Sequence, residues 1–134
     1  MTPEVLDAGV GVDRGRLAAL TTREAEAFAA GRPRSRALAD RSRGSLLGGV
    51  PMTWMMRWAG PYPLFLAEAK GARVVDVDGH EYVDLCLGDT GAMAGHAPAP
   101  VVRAVSERAA AGITAMLPTE DAAWAGEELA RRFG

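Results

Sequence analysis

Few residues in this sequence could carry chemistry: His80 and His96, Cys86, Lys70, and the closely spaced aspartates Asp76 and Asp78 before Gly79. A Ser-His-Asp relay needs a nucleophile held against a histidine that an acid orients in turn. His80 falls in a hairpin turn, where an exposed polar residue is the ordinary outcome. His96, in Gly95-His96-Ala97-Pro98, ends a glycine-rich loop just before a helix. It reads as a structural histidine bonded to backbone, because neither a Gly-x-Ser-x-Gly elbow nor a reactive cysteine accompanies it. Asp76-Val77-Asp78-Gly79 begins as a calcium-binding loop does, but lacks the further ligand before the glycine and the glutamate after it. Zinc would need several converging His, Cys or carboxylate ligands, and no such spacing exists. Gly88, Gly91 and Gly95 lie close together without forming a dinucleotide-binding fingerprint or a P-loop.

Positioning these residues requires elements that the pattern outlines. Residues 1–12 mix Gly, Pro and acids without period and read as a loose terminus. From Asp13, a suitable N-cap, Leu17, Leu20, Ala27 and Phe28 mark a broken helical stripe that Gly31 and Pro33 stop. A second, arginine-rich helix is expected from about Ser35 to Arg43, with Ala37 and Leu38 as its apolar contacts. Gly44–Pro63 carries four glycines and three prolines and has no period, so it reads as an ordered loop. Its Trp54, Met55, Met56 and Trp58 are too apolar for a free linker, and are expected to cover a core or to line a pocket or subunit interface.

Leu64–Glu68, Arg73–Val77 and Glu81–Leu85 alternate as strands, with Asp78-Gly79 as the tight turn between the last two, which predicts an antiparallel β-meander. Past Cys86 the chain is small and glycine-rich, a loop with close backbone approaches. Pro98 and Pro100 then open a helix whose buried face should be Val101, Val102, Val105 and Ala109, ending at Gly112. The last helix starts near Thr119 as N-cap, with Glu120 and Asp121 at its positive end and Ala122, Ala125, Leu129 and Phe133 at helical spacing.

The bulk properties agree with one globular core. The chain has 134 residues, is 49% hydrophobic and 24% charged, and has a formal charge of −2. That balance lacks the bias of disorder and gives no support to nucleic-acid binding. The arginines at 32, 34, 36, 41 and 43 are local and read as a solvated helix face. Cys86 is the sole cysteine, which excludes an internal disulfide and fits a reducing compartment. No apolar run approaches the roughly 18 residues of a membrane span, and no signal-peptide pattern opens the chain, so a cytoplasmic, membrane-free location is expected.

Two separated motifs carry a family resemblance. Ala69-Lys70-Gly71-Ala72-Arg73-Val74-Val75-Asp76-Val77-Asp78-Gly79-His80-Glu81-Tyr82-Val83-Asp84, followed by Gly95-His96-Ala97-Pro98-Ala99-Pro100-Val101, is similar to the N-terminal signature of class III aminotransferases. The Gly-Gly-Val-Pro loop and the Leu-Pro-Thr-Glu-Asp-Ala segment most resemble the branch containing glutamate-1-semialdehyde aminomutase and β-amino-acid aminotransferases. The resemblance covers about residues 35–134.

It implies an α/β fold, the N-terminal part of a fold-type-I pyridoxal-phosphate transferase: residues 1–45 a helical arm, 46–134 the loop, meander and helices leading into a large cofactor-binding domain. It also implies pyridoxal 5′-phosphate as cofactor, an amino donor and acceptor as substrates, and a homodimer with active sites at the subunit interface. In such enzymes the phosphate loop, the acid on the pyridine nitrogen and the Schiff-base lysine all follow the region equivalent to this sequence. Lys70, the only lysine, sits in a turn between strands and does not suit that work, so no catalytic residue is assigned within the chain.

By resemblance, Met52 and Trp54 fall where a loop approaches the substrate, and Asp89 and Thr90 where the loop after the meander faces the cofactor. Met116 and Leu117 fall where a segment reaches the partner subunit's site. In the β-amino-acid branch an arginine near the position of Met52 holds a substrate carboxylate by paired hydrogen bonds. Methionine cannot, and Arg43 and Arg57 are the side chains that could substitute. Two other readings compete: a stand-alone, non-catalytic module binding a partner through Trp54, Met55 and Trp58, and a small enzyme using His96.

Overall fold

The structure is a computed structural model describing residues 11–114 and 116–134. Most of the expected loose terminus therefore lies outside the described residues. The chain divides into two units, the first ending at His96 and the second spanning Ala97–Gly134.

The first unit opens with helix α1, Arg14–Gly31, capped as expected by Asp13, whose carboxylate accepts the Arg16 N–H at 3.0 Å. Helix α2 spans Pro33–Ser42. It starts two residues earlier than the pattern suggested, because proline suits a first turn whose N–H groups have no helical acceptor. Its buried positions are Ser35 and Ala39, four apart on one face, in place of the expected Ala37 and Leu38. Two short 3-10 turns, Leu47–Gly49 and Thr53–Met56, interrupt the following loop. Gly48 is at φ +66, the left-handed region that favours glycine, and a Cβ there would stand 2.6 Å from the Met56 sulfur, which would have to move aside.

The predicted antiparallel meander forms, in the order β1 Leu66–Lys70, β2 Arg73–Asp76, β3 Glu81–Val83; β1 lies two residues later than expected and ends on Lys70, which was read as a turn residue. Lys70 pairs with Arg73 and Val74 with Tyr82, with an irregularity between Leu66 and Glu68. The β2–β3 turn uses three residues rather than two. Asp76 and His80 close it, with the Asp76 N–H donating to the His80 carbonyl at 3.0 Å, and Gly79 alone takes positive φ, +93.

The buried interior of this unit is small and partly polar. Among the described residues, Ala39, Val50 and Tyr62 are its buried apolar residues, joined by Ser35 and Asp76. Trp54, Met56 and Trp58 remain open, Trp54 at 63%. The expectation that they cover a core of this chain is therefore corrected: among the described residues the apolar interior is small, and these side chains stand at the surface.

In the second unit, α3 spans Ala99–Ala111 and Gly112, at φ +101, ends it; α4 spans Glu120–Phe133. The expected buried face of α3 is not buried here: Val101, Val102 and Val105 are 47–61% exposed. The Thr119 hydroxyl does not cap α4 but donates to Asp121 Oδ2 at 3.2 Å. At the other end, Arg131 and Arg132 both donate to Glu128, which holds its carboxyl below the usual range. No described helix is long and apolar enough to cross a membrane.

Candidate functional site

Two polar clusters organise the first unit. The first joins the α1–α2 corner to the β2–β3 turn. Asp78 accepts the N–H groups of Arg34 and Ser35 at 2.7 and 2.9 Å and the Ser35 hydroxyl at 2.6 Å. It thereby caps α2 from a distant part of the chain. Beside it, Arg32 donates twice to the Tyr82 hydroxyl, at 3.0 and 2.9 Å, and that hydroxyl donates to Asp76 Oδ2 at 2.8 Å. The Arg32 guanidinium also stacks over the Phe28 ring, 4.5 Å from its centroid. Tyr62 donates to the Arg32 carbonyl at 3.1 Å and so fixes the same corner.

Asp76 is the hub of this cluster. Its Oδ1 accepts the N–H groups of Asp78 and His80, both at 2.9 Å. The His80 ring nitrogen Nδ1 lies 3.3 and 3.2 Å from the two carboxylate oxygens. Burial pushes the Asp76 carboxyl up, but the His80 N–H, the Tyr82 hydroxyl and the His80 ring together outweigh it and hold it below its ordinary value. Burial likewise raises the Tyr82 hydroxyl, against the pull of Arg32. Asp78 follows the pattern of Asp76: burial raises it, while Ser35 and the Arg34 N–H lower it further. His80, expected to be an exposed turn residue, instead partners a buried carboxylate.

The second cluster closes the glycine-rich loop. His96 Nε2 lies 2.6 Å from Asp84 Oδ2, and this contact is the main reason the Asp84 carboxyl is held below its usual range, aided by the Leu87 and Cys86 N–H groups. The main chain of His96 bridges to Gly71. The His96 ring was expected to bond to backbone; it pairs instead with the Asp84 carboxylate, and only the His96 main chain bonds to backbone, at Gly71. Cys86 is exposed.

The residues assigned by resemblance are on the surface. Met52 and Trp54 lie at the second 3-10 turn, 54% and 63% exposed. Asp89 and Thr90 lie in the loop, exposed, with Asp89 at φ +67. Met116 and Leu117 belong to the second unit and are 98% and 77% exposed. Arg43 is paired with Asp40, so of the two candidate carboxylate binders only Arg57 has no ion-pair partner among the described residues. Neither cluster was legible in advance, since Asp78 and Ser35 are 43 positions apart.

No family model matches the sequence. Over 91 residues it is 46% identical to the glutamate-1-semialdehyde 2,1-aminomutase of Sorangium cellulosum, a match covering 66% of this chain and 20% of that protein. Its fold superposes on a glutamate-1-semialdehyde aminomutase from Pseudomonas aeruginosa with a TM-score of 0.85 and 49% identity, over 93% of this chain and 28% of the other. A variant of that protein with a lysine changed to alanine is known in complex with PMP. A β-phenylalanine aminotransferase from Variovorax paradoxus shares the fold, with a TM-score of 0.68 at 24% identity, over 77% of this chain and 24% of that one.

Helical arm, meander and the two later helices thus share the fold of part of a glutamate-1-semialdehyde aminomutase and of part of a β-phenylalanine aminotransferase. The curated relatives that its sequence matches include glutamate-1-semialdehyde 2,1-aminomutases, of whose length the chain spans about a fifth.

The residues of this chain do not by themselves make a site for pyridoxal phosphate. Pyridoxal phosphate needs an amine held close to its aldehyde, and Lys70 is exposed at the end of β1, beside a two-residue turn.

Proposed function

We propose that this chain supplies the N-terminal portion of a pyridoxal-phosphate-dependent aminotransferase or aminomutase acting on an amino acid, a keto acid or an amino-aldehyde. The observation that carries this reading is 49% identity with a TM-score of 0.85 over 93% of the chain. On this reading the enzyme works in the cytoplasm as a homodimer with its active sites at the subunit interface. Residues 1–45 form an arm, and 46–134 lead into the domain that binds the cofactor. Met52 and Trp54 approach the substrate, Asp89 and Thr90 face the cofactor, and Met116 and Leu117 reach the partner subunit's site. The exposure of all these side chains supports a surface that further residues complete.

The test joins this chain to the remainder of the Pseudomonas aeruginosa relative, in place of that protein's own N-terminal portion. The expected result is a dimer that takes up pyridoxal phosphate, seen by its absorbance, and consumes glutamate-1-semialdehyde or an amino donor. The 134-residue chain alone should do neither. A cooperatively folded chimera that takes up no cofactor, beside an active parent, would sink the proposal.

A further inference from the structure

The neck of the loop between β3 and α3 holds a pair of groups with no assigned part in binding or chemistry. Asp84 Oδ2 and His96 Nε2 lie 2.6 Å apart, and their side chains are only 16% and 21% exposed. Each is fixed from behind. The other Asp84 oxygen accepts the N–H groups of Cys86 and Leu87, both at 2.9 Å, while its own N–H donates to the Ala72 carbonyl at 2.8 Å. His96 exchanges two main-chain bonds with Gly71, at 2.9 and 2.8 Å.

Between these ends the loop has little support. Leu85 and Met93 are 91% and 76% exposed. Its internal bonds are short-range, such as Ala92 N–H to the Leu87 carbonyl at 2.9 Å and Gly91 N–H to the Gly88 carbonyl at 3.1 Å. Yet Leu87, Gly88 and Asp89 run consecutively left-handed, at φ 51, 62 and 67, a conformation that side chains with a Cβ resist. Such a turn persists only where its surroundings over-determine it. Here those surroundings are Asp84, which holds the first two N–H groups of the loop, and His96, which holds Asp84.

We infer that Asp84 and His96 are a positioning pair. Their hydrogen bond clasps the neck of the loop, sets the left-handed turn, and so fixes where Asp89 and Thr90 are presented. The consequence for a bound cofactor or substrate rests on the proposed function, whereas the clasp itself does not.

Amide hydrogen exchange on the full chain tests the clasp. In H96A, residues 86–95 should exchange about tenfold faster, the loss of one hydrogen bond to a charged group, while β1–β3 keep their protection. H96Q, whose amide nitrogen can stand near the place of Nε2, should restore the wild-type rate. Unchanged loop exchange in H96A, or exchange in H96Q as fast as in H96A, overturns the inference. Should H96A open the sheet as well, H96Q is compared with the shorter H96N, and equal loop exchange in those two overturns it. In the chimera described above, H96A should lower kcat/KM with cofactor content retained, and H96Q should recover it. A chimera that takes up no cofactor with either residue counts against the proposed function and leaves the exchange result to judge the clasp.

Discussion

The carboxylate of Asp78, on the β2–β3 turn, closes the first turn of α2 from 43 positions away, taking both the N–H and the hydroxyl of Ser35. Ser35 is fully buried, so its hydroxyl has no water to fall back on. Replacing it with alanine should cost about 1.5–3 kcal/mol, the usual worth of a hydrogen bond to a charged group. D78A, which strips the N–H bonds of Arg34 and Ser35 as well as the hydroxyl bond, should cost more than S35A. Urea midpoints of the two variants check the order, and equal midpoints would show that the cap contributes nothing beyond the serine.

Acid should weaken the first unit through Asp76. Its carboxyl titrates below its ordinary value of 3.8 in the folded chain, so at mildly acidic pH the unfolded chain binds its proton first. This contribution is complete above the ordinary value and is lost as pH falls through the lower folded one. Asp84 and Asp78 act in the same sense. D76N should therefore be less stable at neutral pH and show a shallower decline on acidification. An acid slope identical to wild type would remove Asp76 from the account.

Gly95 meets two demands at once: its φ is +86, and a Cβ would stand 3.1 Å from Gly71 Cα. G95A should destabilise the chain by about 1–3 kcal/mol, with the loosening concentrated at the Gly71–His96 bridge. Hydrogen exchange at Gly71 and His96 reads this directly. An unperturbed bridge in a folded G95A chain would contradict it.

The isolated chain should bind an apolar dye and self-associate, because Trp124, Leu129 and Phe133 on α4 are 60–82% exposed. Replacing Leu129 with lysine should reduce both signals, measured by dye fluorescence and sedimentation. A monodisperse wild-type chain that ignores the dye would favour the stand-alone module.

What the sequence revealed follows the range of each physical cause. Asp13 as cap, the alternation over Arg73–Val83 and the stop at Gly112 depend on neighbours in the chain, and all three appear as read. The Asp78 cap and the Asp84–His96 contact depend on the folded path, and no local pattern announces them. Val101, Val102 and Val105 failed in another way. Their helix formed, but helical periodicity shows which side wants cover without showing whether the same chain provides it. Of the candidate site, only the motif positions were legible; the hydrogen bonds that hold them were not.

A unit whose only fully buried side chain, among the described residues, is a serine has an unusual thermal character. The heat capacity gained on unfolding comes from apolar surface newly wetted, and polar surface works against it. With so little apolar interior to expose and so many bonds converging on Asp76 and Asp78, the first unit should unfold with a small heat-capacity change. Its stability curve is then broad and flat, more responsive to protons than to cooling.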